Sequence, residues 1–177
     1  MQLGVTPENI QKALADFRNM SGRQEIFKAG EFTIINDCYN SDINSLDIAL
    51  DFTARRFAQT AAQRRVLVLS DMEQTGLTPA ELYKRVAQMV VSRGVDLLIG
   101  VGADLSASRE CFTLPARFFT SVEALMSSCV LDELQSDVIL LKGSRRAGFE
   151  RIAEALSQKV HETTLEVNLE SVAQNLT

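Results

Sequence analysis

Three short apolar blocks constrain this chain most: RRVLVLS (Arg64 to Ser70), VDLLIGVG (Val95 to Gly102) and DVILL (Asp137 to Leu141). Each is a near-continuous hydrophobic run of strand length, without the polar alternation of a half-exposed strand. Such a run suits a strand buried on both faces, as in a parallel sheet covered by helices. Between the blocks the hydrophobic period lengthens to that of a helix. Ile43, Leu46, Leu50, Thr53 and Phe57 fall on one helical face. Thr78-Pro79-Ala80-Glu81 then opens a helix as a capping box with proline in its first turn, turning Leu82, Val86, Met89 and Val90 inward. Further on, a helical stretch is expected around Asp104 to Cys111, a short strand at ARFFT, a helix from Ser121, and a last helix burying Phe149, Ile152, Ala153 and Leu156.

Strands alternating with helices predict an α/β fold: a three-layer, Rossmann-like sandwich around a mostly parallel sheet of about six strands. Upstream, QEIF and EFTII flank Lys28-Ala29-Gly30 as a β-hairpin, which supplies one antiparallel edge strand. Before it, Thr6, Pro7, Ile10, Leu14 and Phe17 predict an N-terminal helix.

At 177 residues the chain suits one domain with a full core. A net charge of -5 argues against a general nucleic-acid binder, although basic pairs occur at Arg55-Arg56, Arg64-Arg65 and Arg145-Arg146. No apolar run approaches the roughly 20 residues needed to cross a bilayer, and the N-terminus does not read as a signal peptide. Cys38, Cys111 and Cys129 form no metal spacing, and their odd number suits reduced thiols in the cytoplasm. The single histidine, His161, is expected in a solvated tail, so no His-based metal site or core triad is expected.

Ligands of open parallel sheets bind beyond the carboxyl ends of the strands. Three polar loops should meet there: Asp37-Cys38-Tyr39-Asn40, Ser70-Asp71-Met72-Glu73 and Lys142-Gly143-Ser144-Arg145. Asp37 can accept from ribose hydroxyls, Tyr39 can stack on a planar ring, and Asn40 and Asn44 can donate and accept. The same loop also suits plain architecture, with Ser41 or Asp42 capping the next helix and Asn40 shaping the turn. Lys142, Ser144 and Arg145 suit an anion where a strand meets a helix, or equally a tight turn with exposed cations. Asp71 is a possible ligand contact or a turn former. The chain has no GxxxxGK[ST] and no GxGxxG after a strand, so it lacks a phosphate-cradling loop of its own.

The order SGRQE, INDCYNSDINSLDIAL, RRVLVLSDM, VDLLIGVG, DVILLKGSR resembles the C-terminal domain of the Mur ligases, nearest to the MurF type, over roughly Gly4 to Leu156. The resemblance implies a closing domain, residues 1–160, of an enzyme that adds D-alanyl-D-alanine to UDP-N-acetylmuramoyl-tripeptide. ATP would phosphorylate the tripeptide carboxylate, and the dipeptide amine would attack the acyl phosphate. The P-loop and the Mg2+ site would lie on the central domain, so no catalytic residue is expected in this chain, which should be inactive alone. Its partners would be the central and N-terminal domains of the same parent chain. By this resemblance Arg23, Asp37, Tyr39 and Asn40 face the nucleotide, and Lys142, Ser144 and Arg145 lie near the incoming dipeptide.

The pattern departs from the family in three places. Ser41, Asp42 and Ile43 stand where Ala-Asn-Pro is usual, Glu73-Gln74-Thr75-Gly76 where Glu-Leu-Gly is usual, and Tyr83 where a histidine is often found. The tail, residues 161–177, carries LEVNLESVAQNL, which is similar to the opening strand and helix of alanine racemases, or else forms an ordinary terminal strand and helix. The former implies a segment of a ligase–racemase fusion, with pyridoxal phosphate only in the downstream racemase. Two alternatives stand beside the cell-wall ligase: a folate polyglutamate ligase C-terminal domain, and a non-catalytic Rossmann-like binding module.

Overall fold

The computed structural model describes residues 23–29, 32–72, 76–135 and 137–158. The expected N-terminal helix, Glu73 to Thr75, His161 and the racemase-like tail lie outside the described residues. Six strands form one sheet: β1 (Glu25–Ala29), β2 (Phe32–Asp37), β3 (Arg64–Ser70), β4 (Leu97–Val101), β5 (Ala116–Phe119) and β6 (Asp137–Lys142), in spatial order β1-β2-β6-β3-β4-β5. β1 pairs antiparallel with β2, and all other neighbours are parallel. This is the mostly parallel sheet with an antiparallel edge that the apolar blocks and the hairpin predicted.

The helices are α1 (Ile43–Phe57), α2 (Pro79–Ser92), α3 (Ala103–Ala107), α4 (Val122–Met126) and α5 (residues 150–158). The stretch expected to be helical from Asp104 to Cys111 is α3 followed by a 3-10 turn, Arg109–Cys111. Because strand side chains alternate between faces, the sheet carries two cores. Ile35, Leu67, Leu69, Leu98 and Leu140 face Leu46 and Leu50 of α1, Val86 and Val90 of α2, and Leu105 of α3. Ile34, Val66, Val68, Ile99, Ile139 and Leu141 face Val122 and Leu125 of α4 and Ile152 and Leu156 of α5. Fully burying each such Leu or Ile contributes about 1.5–3 kcal/mol, which is what fixes the helices to their faces.

Helix starts follow local chemistry. Asp42 caps α1: its carboxylate accepts from the Ser45 backbone N–H at 2.9 Å, and Ser45 Oγ accepts from the Asp42 N–H at 3.2 Å. Thr78 and Glu81 form the corresponding box on α2, as the sequence predicted.

The connections decide where ligands can enter. The loops after β2, β3 and β4 run to the face of α1, α2 and α3, whereas those after β5 and β6 run to the face of α4 and α5. β6 lies between β2 and β3, so its loop turns away from the loop on either side. Chain that parts in this way leaves a crevice on each flank of β6, at the switch points where open α/β sheets take ligands. No helix among the described residues is long and apolar enough to cross a membrane.

Candidate functional site: two crevices at the carboxyl end of β6

The first crevice, of about 420 Å3, opens between the β2–α1 loop and the β6–α5 loop and is lined by Tyr39 to Asp42 and Ser144 to Arg146. The Arg23 guanidinium lies 4.0 Å from the centroid of the Tyr39 ring, and that of Arg145 lies 5.6 Å from it. Both contacts are of the cation–π kind. Four predicted residues from three parts of the sequence therefore meet here: Arg23, Tyr39, Asn40 and Arg145. Ser41 is 7% exposed, and its hydroxyl oxygen is buried without a hydrogen-bond partner.

Asp37 and Lys142 sit beneath this crevice. They are register partners at the ends of β2 and β6. The Lys142 side chain is only 1% exposed and that of Asp37 12%. Lys142 Nζ donates to Asp37 Oδ2 at 2.8 Å and to the backbone carbonyl of Asn40 at 2.6 Å. The two charges expected to reach toward different ligands thus face each other inside the domain. Cys38 between them donates its thiol to the Leu141 carbonyl at 3.5 Å. Burial, followed by the charge of Asp37, pushes that thiol up to about 12, so it is not a nucleophile at neutral pH.

The second crevice, of about 370 Å3, lies on the other flank of β6, among Ser70, Asp71, Gly102, Thr120 to Glu123, Ser144 and Arg146 to Gly148, with Arg151 at its side. Ser144 and Arg146 line both crevices. The wall between them is pinned where the Ser144 backbone N–H donates to Ser70 Oγ at 3.1 Å. At the rim, Arg151 of α5 donates to the Glu123 carboxylate of α4. Gly143 lets this wall form, since a Cβ there would lie 2.9 Å from the Phe149 ring.

Asp71 is fixed by its neighbours. Its carboxylate accepts from the backbone N–H groups of Leu105 at 2.8 Å and Asp104 at 3.1 Å, at the start of α3, and from the Tyr83 hydroxyl at 3.1 Å. Tyr83 in turn accepts from the Met72 N–H at 3.3 Å. Burial is the main reason the Tyr83 hydroxyl is held above its usual pKa. Gly102, at φ +144, must lack a side chain because a Cβ would fall 2.1 Å from Asp71 Cγ. Tyr83, one of the departures from the family pattern, is thus a support for the β3–α2 loop.

Sequence reasoning passed over Ser41 as a lining residue, Arg146, and the Thr120 to Glu123 end of β5. The Arg145-Arg146 pair at a strand-to-helix turn was a usable signal for the second. The β5 loop gave none: the sequence predicts the short strand at ARFFT, but the residues after it read only as the start of the next helix.

In chemical terms the first crevice offers an aromatic face, amide and hydroxyl groups, and guanidinium groups, a set suited to a nucleotide with its phosphates. Among the described residues no group of three His, Cys, Asp or Glu side chains is placed to hold a metal ion. The carboxylates of Asp37 and Asp71 are already held by protein donors, so these residues do not form a resident Mg2+ site.

Comparison with known proteins identifies the family and the fold. Residues 22–145 match the family model described as "Mur ligase, glutamate ligase domain". The UDP-N-acetylmuramoyl-tripeptide--D-alanyl-D-alanine ligase of Escherichia coli (strain K12) is 27% identical over 161 residues, covering 89% of this chain and 34% of the relative. A crystal structure of MurF from Acinetobacter baumannii superposes with a TM-score of 0.73 at 24% identity, over 88% of this chain and 35% of that one. The bifunctional folylpolyglutamate synthase/dihydrofolate synthase of Yersinia pestis gives 0.58 at 19% identity, over 87% and 35%. At these identities the structural likenesses speak to fold. The chain spans about a third of the length of the curated relatives it matches. The family match spans all six strands and the β2–α1 loop and ends at Arg145, and the chain belongs to the Mur ligase, glutamate ligase domain family.

Proposed function

We propose that this chain is the C-terminal, closing domain of an ATP-dependent ligase that joins D-alanyl-D-alanine to UDP-N-acetylmuramoyl-tripeptide in peptidoglycan synthesis, in the cytoplasm. One observation carries the reading. The polar strand ends converge on two crevices beside β6, in a chain that aligns over 89% of its length with a ligase of that name. ATP supplies the phosphoryl group that activates the tripeptide carboxylate. The P-loop and Mg2+ would belong to a central domain of the parent chain, which fits a chain without GxxxxGK[ST].

In this reading the first crevice meets the nucleotide. Tyr39 offers its ring to the base or ribose side, while Arg23 and Arg145 leave the ring to reach phosphate oxygens. The second crevice receives the dipeptide, with Ser144 on the dividing wall and the paired charges of Glu123 and Arg151 facing a zwitterion. Closure brings both crevices over the central domain and keeps water from the acyl phosphate. The folate ligase reading has less support, because the curated relative carries the cell-wall ligase name and the folate enzyme superposes less well. The tail, residues 161–177, belongs to the same proposal as the start of a racemase domain. Pyridoxal phosphate would belong only to the downstream racemase domain.

The test is phosphate release from ATP with tripeptide precursor and D-alanyl-D-alanine. A parent polypeptide carrying the P-loop domain and this chain is expected to turn over, and this chain alone to give none. Turnover by the isolated chain, or by a parent lacking it, contradicts the reading.

A further inference from the structure

We infer that Lys142 is a positioning residue: its buried ammonium holds the β2–α1 loop in the conformation that presents Tyr39 to the first crevice, and it does not contact a ligand. Three observations carry this. The ammonium is almost fully buried at 1% exposure, so neither crevice reaches it. It is absent from the lining of both crevices, whereas its neighbours Ser144 and Arg146 line both. Its two acceptors bracket Tyr39 in sequence: the Asp37 carboxylate at 2.8 Å and the Asn40 carbonyl at 2.6 Å.

The arrangement closes a small ring. The chain leaves β2 at Asp37, passes through Cys38 and Tyr39, and returns at Asn40 to the same nitrogen. An ammonium carries several donors on one point charge and can hold both acceptors at once. Away from water these bonds have no competitor, so four residues are confined by one side chain. Tyr39 then has one way to point, outward under the Arg23 and Arg145 guanidiniums. Asp37 serves the same end as counter-ion, which gives both residues a role other than direct ligand contact.

The positioning itself needs no ligand to be measured; only its consequence for ATP rests on the ligase reading above. The chain has two tyrosines, Tyr39 and Tyr83, and no tryptophan. Ring-labelled tyrosine therefore gives two NMR signal sets, assigned with Tyr39→Phe, and the buried Tyr83 reports any general loosening. Lys142→Met is expected to move the Tyr39 ring resonances toward those of a free tyrosine and leave Tyr83 in place. The double variant Asp37→Asn/Lys142→Met removes both charges and should recover the unfolding midpoint lost by the single one. Tyr39 should stay displaced in it, because the Asn40 carbonyl is still unheld. An unmoved Tyr39 in Lys142→Met, or a Tyr83 that moves with it, overturns the inference.

In the ligase that contains this chain, the double variant is expected to raise KM for ATP about tenfold through loss of loop geometry, with KM for the dipeptide within about twofold. The reverse pattern, a raised dipeptide KM with ATP unaffected, would make Lys142 a direct acceptor contact and overturn the inference. A wild-type parent without ATP-dependent ligation removes the ligase reading instead, and the ring resonances still decide the role of Lys142.

Discussion

β6 ends at both extremities in a buried charge answered by its register partner on a neighbouring strand, and the two pairs do different things. At its start, Asp137 is 0% exposed and accepts from Arg64 Nε and Nη2, each at 2.9 Å, at the first register position of β3. At its end, Lys142 meets Asp37 of β2. The first pair joins the two central strands at their amino ends, away from the crevices, and the Arg64 side chain is partly in solvent. The second pair also grips the Asn40 carbonyl, and with it a loop that carries Tyr39. One chemical device therefore closes the sheet at one end and shapes a site at the other. Each cation has a second acceptor outside the sheet, the Glu133 carbonyl for Arg64 at 3.4 Å and the Asn40 carbonyl for Lys142 at 2.6 Å, so the difference lies in the burial of the cation and in which loop it holds.

The largest expected effect comes from breaking either pair on one side. Lys142→Met and Arg64→Met each leave a buried carboxylate without its cation, at a cost of about 3–5 kcal/mol, somewhat less for the half-exposed Arg64. Denaturant unfolding of the chain checks this. The comparison sharpens if only Lys142→Met also moves Tyr39, and it breaks if Arg64→Met moves Tyr39 as far.

Next in size is Asp71→Ala, which removes the acceptor for two α3 amides and for the buried Tyr83 hydroxyl. Leaving such donors unsatisfied costs about 1–3 kcal/mol. The Tyr83 resonances should shift while Tyr39 stays in place, the converse of Lys142→Met. Movement of both would mean that the loops after β2 and β3 are one unit.

A smaller effect, about 1 kcal/mol, is expected from Asp42→Ala at the α1 cap. The Ser45 backbone N–H is the main cause that holds the Asp42 carboxyl below its usual pKa. A carboxylate depressed on folding stabilises fully above its unfolded pKa, and that contribution fades as pH falls through the folded value. Unfolding free energy measured against pH should therefore decline on the acid limb less steeply in Asp42→Asn than in the wild type.

The smallest perturbation is chemical. With its thiol pushed up to about 12, Cys38 should resist thiol reagents in the folded chain, whereas exposed Cys129 reacts first. Rapid labelling of Cys38 would mean that the loop over Lys142 opens readily.

Much of the fold was legible because each layer has its own period. The apolar blocks announced β3, β4 and β6, the hairpin announced the antiparallel edge, and the capping box at Thr78 announced α2. The convergence of the polar loops followed from the parallel sheet alone. The role of each charge was not legible. Asp37 and Lys142 are 105 residues apart in sequence, and nothing local reveals that strand register sets them opposite each other. Asp71 reads like any aspartate after a strand until α3 is seen to begin against it. At Ser41 and Asp42, where the chain leaves the family pattern, the choice between cap and contact divides by residue: Asp42 caps α1, and Ser41 lines the crevice.

The central claim is that the first crevice meets the nucleotide through Tyr39. Steady-state kinetics of Tyr39→Ala in the proposed parent ligase test it most directly. Loss of one aromatic stacking face should raise KM for ATP about tenfold, with KM for D-alanyl-D-alanine unchanged. An ATP KM equal to that of the wild type, in a variant that is folded and otherwise active, would contradict the account.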